Sequence, residues 1–133
     1  MVSLRAILDT NVFVGAGFNR RSASAQLLQA VREGRLVMVW SRATRAETQR
    51  ILEKIPPLSW GAVADLFDPA NEAPDADPAT ADFVTDAEDR KFAALSLAEG
   101  CPIVTSDDDL LTHADKLDVF KPSTFWACFS KRA

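Results

Sequence analysis

The sequence predicts an α/β fold in which a parallel sheet carries helices on both faces. Short apolar segments alternate with segments of helical period along the chain. The strand segments are apolar throughout instead of alternating with polar residues, as expected of strands buried between two helix layers. Polar residues close those strands, Asp9-Thr10-Asn11 after the first and Ser106-Asp107-Asp108-Asp109 after a later one. The carboxyl ends of the strands are where open α/β sheets bind ligands.

Taken in order, residues 3–8 read as the first strand, closed by Asp9. Residues 13–18 contain Gly15 and Gly17 and read as a loop or irregular turn. A helix over 22–33 follows, with Ser22 or Ser24 as its cap, Leu27, Leu28 and Val31 on one face, and Gly34 as its stop. Residues 36–40 form a second strand. Ser41 then caps a helix running to about Lys54, ended by Pro56-Pro57. A shorter helix is expected over 58–67. Residues 68–80, rich in Pro, Asp and Ala, read as a loop, 83–84 as a short strand, and 87–99 as a strongly apolar helix stopped by Gly100. A clear strand at 102–105 leads into an acidic turn and a short helix through His113. A strand at 117–120 and a helix at 123–129 complete the chain. No repeat or long linker interrupts this series, so residues 1–133 are expected to form one domain.

The bulk properties narrow the chemistry. With 133 residues, 47% of them hydrophobic, the chain can bury a core without covalent staples. No apolar run approaches the roughly 20 residues that span a bilayer. Residues 1–8 carry Arg5 and no small-residue cleavage site, so they read as a strand and the expected location is cytoplasmic. Cys101 and Cys128 are too few for a disulfide framework or a thiolate zinc site, and both are expected as buried free thiols. His113 is the only histidine, which excludes sites built on two or more. Any metal would therefore take oxygen ligands, which suit magnesium, manganese or calcium.

The net charge of −4 argues at first against a nucleic-acid partner. Its distribution is uneven. Residues 1–54 hold nine Lys/Arg against four Asp/Glu, residues 55–89 hold nine Asp/Glu and no Lys/Arg, and residues 90–133 are balanced. A basic first half beside an acidic segment is compatible with phosphate binding next to a metal site, and equally with a solvated acidic loop.

Four carboxylates stand where chemistry is expected. Asp9 follows the first strand and Asp107 follows the strand at 102–105, so both enter one crevice if those strands are neighbours. Alone, Asp9 could be a turn residue, and Asp107 a helix cap followed by favourable acids. Glu47 shares its helix face with Ala43, Ile51 and Ile55, which turns a carboxylate toward the core. It needs a partner there, either an arginine or a metal ion; Arg45 and Arg50 are near in sequence but off that stripe. Asp89 heads the most apolar helix, in line with Ala93 and Ser96, with Asp86 as the expected cap. Such a cluster repels itself unless a cation compensates it. A divalent ion does so, and can also activate water and stabilise charge on a phosphate.

With these residues in view, the sequence resembles the PIN-domain nucleases, and most of all the bacterial toxin-like members that include VapC-type toxins. Leu8-Asp9-Thr10-Asn11-Val12 is similar to the family's opening motif, and Ser41 to Glu47 resembles the segment with its helical Glu. Asp86-Ala87-Glu88-Asp89, leading into Phe92 to Ala98, resembles the third acidic motif. Val104-Thr105-Ser106-Asp107-Asp108-Asp109-Leu110-Leu111 resembles the fourth, and Val119 to Phe125 the terminal strand and its ending. Ser106 replaces a frequent glycine, and Asp108 a polar or basic residue. The resemblance implies a three-layer α/β/α fold with about five parallel strands. It implies Asp9, Glu47, Asp89 and Asp107 as catalytic, metal-holding acids, with Asn11 and Thr105 orienting ligands or water and Asp86 and Asp109 as second choices. It also implies Mg2+ or Mn2+, an RNA substrate, a homodimer, and an antitoxin partner that blocks the site.

The function this reading expects is in-line hydrolysis of RNA phosphodiester bonds by the toxin of a toxin–antitoxin pair. Arg20, Arg21, Arg42, Arg45 and Arg50 are candidates for holding the RNA backbone. One alternative is a phosphatase or phosphotransfer domain with Asp9 as nucleophile. Asn11 stands where haloacid-dehalogenase-like phosphatases carry a second Asp, and Lys121 is the weak counterpart of a receiver-domain lysine. The other alternative is a PIN-fold binding module of low activity.

Overall fold

In a computed structural model, which describes residues 4–131, the first strand is β1 (Leu4–Leu8); Ser3 lies outside the described residues. Its side chains alternate between two cores. Ala6 and Leu8 join one cluster and Ile7 the other, the period-two geometry of a strand covered on both faces.

The chain then does something its glycines conceal. Residues 10–18 form a helix, α1 (Thr10–Phe18), where a loop is expected. Asp9 caps it, accepting from the Thr10 backbone N–H at 2.7 Å, and Val12, Phe13 and Ala16 bury one face. Gly17 permits close packing. A Cβ on Gly17 would run into the Leu58 side chain, whereas one on Gly15 would meet Ser24 Oγ at 3.5 Å, an ordinary contact. Gly15→Ala is therefore expected to raise stability by about 0.5–1 kcal/mol, by lowering the entropy of the unfolded chain inside a helix. A thermal melt followed by circular dichroism checks this; an unchanged or lower midpoint would show that the α1–α2 contact has no room.

Helix α2 (Ala23–Arg32) starts at its Ser22 cap and stops before Gly34, whose φ of +75° is open to glycine. Strand β2 (Leu36–Met38) leads through Trp40 to α3 (Arg42–Leu52), which opens on a Ser41–Thr44 capping box. The helix expected over 58–67 is two 3₁₀ turns, Trp60–Ala62 and Ala64–Leu66. The strand expected at 83–84 is a turn: Val84 is buried, but its N–H donates to the Ala81 carbonyl three residues back at 3.1 Å.

The acidic segment is mostly turn chemistry. Asp68 and Asp77 each precede a proline and cap a 3₁₀ turn, Asp86 caps another, and Asp75 accepts from the Ala43 N–H at 2.8 Å at the start of α3. Ala73, Ala81 and Val84 anchor the segment in the second core.

Helix α4 (Arg90–Glu99) ends on Gly100 with φ +63°. Strand β3 (Ile103–Val104), helix α5 (Asp108–Leu111), strand β4 (Val119–Phe120) and helix α6 (Pro122–Ser130) follow. The sheet is parallel with order β2-β1-β3-β4, so the described residues hold four strands, not five. Helices α1, α2 and α6 pack on one face, and α4 with Leu110 on the other. Among the described residues, Phe92, 2% exposed, is the largest fully buried side chain, and burying an aromatic of its size contributes about 2–3 kcal/mol. Cys101 is buried as expected, and burial pushes its thiol up to about 11. Cys128 is exposed, contrary to expectation, because Phe125 and Phe129 take the inward face of α6.

Candidate metal centre

The strand order fixes where a site forms. From β1 the chain goes to β2 on one side, then returns past β1 to β3 on the other. The β1–β3 boundary is thus the point where the winding reverses, and ligands of open α/β sheets sit at the carboxyl ends there. Leu8 pairs with Val104, and the Asp9 N–H donates to the Val104 carbonyl at 3.0 Å. Asp9 and Thr105 are therefore brought side by side above the sheet.

Asp9 is 4% exposed. Its Oδ1 accepts from the Thr10 N–H, and its Oδ2 accepts from Thr105 Oγ1 at 2.8 Å and Asn11 Nδ2 at 3.1 Å. Asn11 ties the two loops together: Nδ2 also donates to Thr105 Oγ1 at 3.2 Å, and Oδ1 accepts from the Ser106 N–H at 3.1 Å. Thr105 Oγ1 accepts in turn from the Asp107 N–H at 2.9 Å. Asn11 and Thr105 thus fix Asp9 and Asp107 against each other. Burial pushes the Asp9 carboxyl up to about 6, against the hydrogen bonds from Thr105 and Thr10 that pull it down.

Asp107 caps α5 through the Asp109 N–H at 3.0 Å. Asp109 Oδ2 accepts the Asp86 N–H at 3.0 Å, which brings the turn at 86–89 against the β3–α5 loop. Asp89 lies where that turn becomes α4. One carboxylate oxygen from each of Asp9, Asp89 and Asp107 falls within 4.8 Å of the others. Asp86, Asp89 and Asp109 form a second such trio, but Asp86 and Asp109 already serve as turn acceptors.

Asp89 is the least satisfied of these acids. Its Oδ2 is buried without a hydrogen-bond partner. Burial first, then the negative charges of Asp9 and Asp107, push its carboxyl up to about 8. No Lys, Arg or His pairs with Asp9, Asp89 or Asp107 among the described residues. Crowded, unpaired carboxylates with a stranded oxygen form a donor set that fits a hard divalent cation such as Mg2+ or Mn2+.

Glu47 lines the same cleft, a hollow of about 160 Å³ shared with Thr10, Val14, Ile51 and Phe92, but it stands outside the trio. It has the bland partner that its helical stripe seemed to deny it. Arg50 Nη2 donates to both Glu47 oxygens at 2.8 Å, because residues three apart on a helix are neighbours. Lys91 Nζ adds a contact at 3.4 Å and bonds Glu88 at 3.0 Å. Lys91 escaped the sequence reading; its only signal was the i,i+3 spacing from Glu88. Of the other arginines, Arg45 lies over the Trp60 ring at 5.1 Å. Arg42 is exposed at the start of α3, and Arg20 and Arg21 are exposed beyond the far end of α1.

A sequence profile for the PIN domain matches residues 5–109. No curated protein sequence matches the chain. Among solved structures the fold is similar to PAE2754 from Pyrobaculum aerophilum, with TM-score 0.62 and 15% identity over 98% of this chain and 99% of that one. It is similar to VapBC2 from Rickettsia felis bound to a DNA fragment from their promoter, with TM-score 0.60 and 15% identity over 89% and 98%. It is also similar to FitAcB from Neisseria gonorrhoeae, with TM-score 0.59 and 18% identity over 89% and 98%.

Proposed function

The chain belongs to the PIN-domain family, and on that premise we propose that it is a metal-dependent endoribonuclease, the toxin of a toxin–antitoxin pair. The observation that carries this reading is the carboxylate trio of Asp9, Asp89 and Asp107 at the β1–β3 boundary, left without basic partners and with one oxygen stranded. In this reading the three acids hold Mg2+ or Mn2+. Bound there, such an ion supplies charge neutralisation at the scissile phosphate and the leaving oxygen, and lowers the pKa of water.

The chain's own residues do the positioning. Thr105 and Asn11 lock Asp9 in one rotamer, so the acids are held before substrate arrives. Asp109 holds the 86–89 turn, and with it Asp89, against the loop that carries Asp107. Glu47 completes the cleft from the α3 side. Arg20, Arg21, Arg42 and Arg45, with Arg50 on the cleft-lining Glu47, provide positive charge for the RNA backbone. The VapBC2 and FitAcB structures, similar in fold, support an antitoxin partner for this chain. A homodimer and a cytoplasmic location belong to the same proposal; no described helix is long and apolar enough to cross a membrane.

The test is cutting of single-stranded RNA in Mg2+ or Mn2+. Internal cleavage that EDTA abolishes is the expected result. Metal binding with no cutting of any RNA would support the binding module instead. Labelling of Asp9 by a small phosphodonor, again without cutting, would support the phosphotransfer domain.

A further inference from the structure

The cleft that holds Asp9, Asp89 and Asp107 is lined by no basic side chain among the described residues. A phosphodiester brings another negative charge to it, so an approaching strand needs positive charge at the rim. Two basic groups reach a cleft-lining carboxylate, Arg50 and Lys91, and both do so on Glu47.

The two are bound differently. Arg50, from the same helix, grips Glu47 with two contacts of 2.8 Å and is half exposed. Lys91 comes from the first turn of α4, two residues after Asp89. Its ammonium is 3.4 Å from Glu47 and 3.0 Å from Glu88, and its side chain is 21% exposed. An ammonium has three donors, so two carboxylates leave one unused. Glu88 is 63% exposed and free to give way. Glu47 therefore keeps a cation beside the trio without consuming it.

We propose that Lys91 binds substrate: its ammonium takes a non-bridging oxygen of the RNA phosphate that borders the acid trio, and Glu47 is the residue that positions it. A flexible ammonium is a point charge that can follow a phosphate without a fixed fork geometry. The inference rests on the ribonuclease reading above.

The test measures binding of a labelled single-stranded RNA by fluorescence anisotropy, in Mg2+, in an Asp89→Asn background that does not cut. Adding Lys91→Gln is expected to weaken binding about tenfold at low salt and to flatten the slope of log K against log salt by about 0.7, the loss of one phosphate contact. Lys91→Arg should restore most of both. Glu88→Gln, on an exposed side chain, should tighten binding a few-fold, and that gain should vanish when residue 91 is already glutamine. If Lys91 only braces Glu47, Lys91→Gln will lower the melting temperature and leave affinity and slope unchanged, and Glu88→Gln will change nothing; that outcome overturns the proposal. If wild type neither binds nor cuts RNA in Mg2+, the ribonuclease reading fails first and this inference with it.

Discussion

Asp9→Asn is expected to lower metal-dependent RNA cutting by about 10²–10³-fold or more while the protein stays folded, since it removes a negative charge from the proposed metal site. The fold survives because two effects oppose each other. The amide removes a buried charge whose carboxyl is already pushed up to about 6. It also turns one oxygen into a donor; with the amide nitrogen at the Oδ1 position the bonds from Thr105 and Asn11 are kept and the one from the Thr10 N–H is lost, which costs about one hydrogen bond, on the order of 1 kcal/mol. The net change in melting temperature should be a few degrees at most. The measurement is the cleavage rate at saturating Mg2+ beside a thermal melt. Cutting within tenfold of wild type in a folded Asp9→Asn protein would remove Asp9 from the site.

Asp89→Asn is expected to abolish cutting and, without metal, to make the protein more stable than wild type. Asp89 carries a stranded oxygen and two acidic neighbours; a neutral amide ends the repulsion and can donate to one of them. At pH 8 the gain should be about 1–2 kcal/mol, after allowance for the solvent that screens this half-buried group. For a chain of this size that is a rise of roughly 3–10 °C in melting temperature.

The pH dependence has a definite sign. Asp9 and Asp89 both hold their protons more tightly in the folded state than the ordinary value of 3.8. Their contribution to stability is complete below about pH 4 and is lost as pH rises through about 6 for Asp9 and about 8 for Asp89. Metal-free wild type should therefore lose stability between pH 4 and 8, and Asp89→Asn should lose less. Mg2+ should restore wild type at pH 8, where Asp9 is ionised and the ion displaces the proton still held by Asp89, and should do little for the variant. Equal pH profiles for the two proteins would show that the acids do not crowd each other as the geometry implies.

The sequence exposed most of this fold because its signals are local. Ser22, Ser41, Gly34 and Gly100 punctuate their helices where capping chemistry says they should. Runs such as 103–104 are apolar on both faces because helices cover both. The misses share a cause, which is tertiary context overriding a local cue. Gly15 and Gly17 look like a loop, yet both lie inside α1, and Gly17 lets that helix approach Leu58. Val84 is apolar because it plugs a core, and it pairs with no strand.

Within the site, residue identity was legible and pairing was not. Asp9 and Asp107 stand at strand ends in the sequence itself, but their adjacency depends on β1 lying beside β3. Glu47 lines the cleft, but its stripe of Ala43, Ile51 and Ile55 is only half-buried; the core face of α3 is Thr44, Thr48 and Leu52, whose two threonines hid it in the sequence. That its partners would be Arg50 and Lys91 required side-chain reach across a helix turn and between two helices.

The central claim is that Asp9, Asp89 and Asp107 together hold one divalent ion. Its most direct test is a crystal grown with Mn2+ and measured at the manganese absorption edge. The account predicts an anomalous peak between the three carboxylates, with oxygens at about 2.0–2.3 Å, and its loss in Asp89→Asn. A peak elsewhere, or none at a manganese concentration that supports cutting, would contradict it.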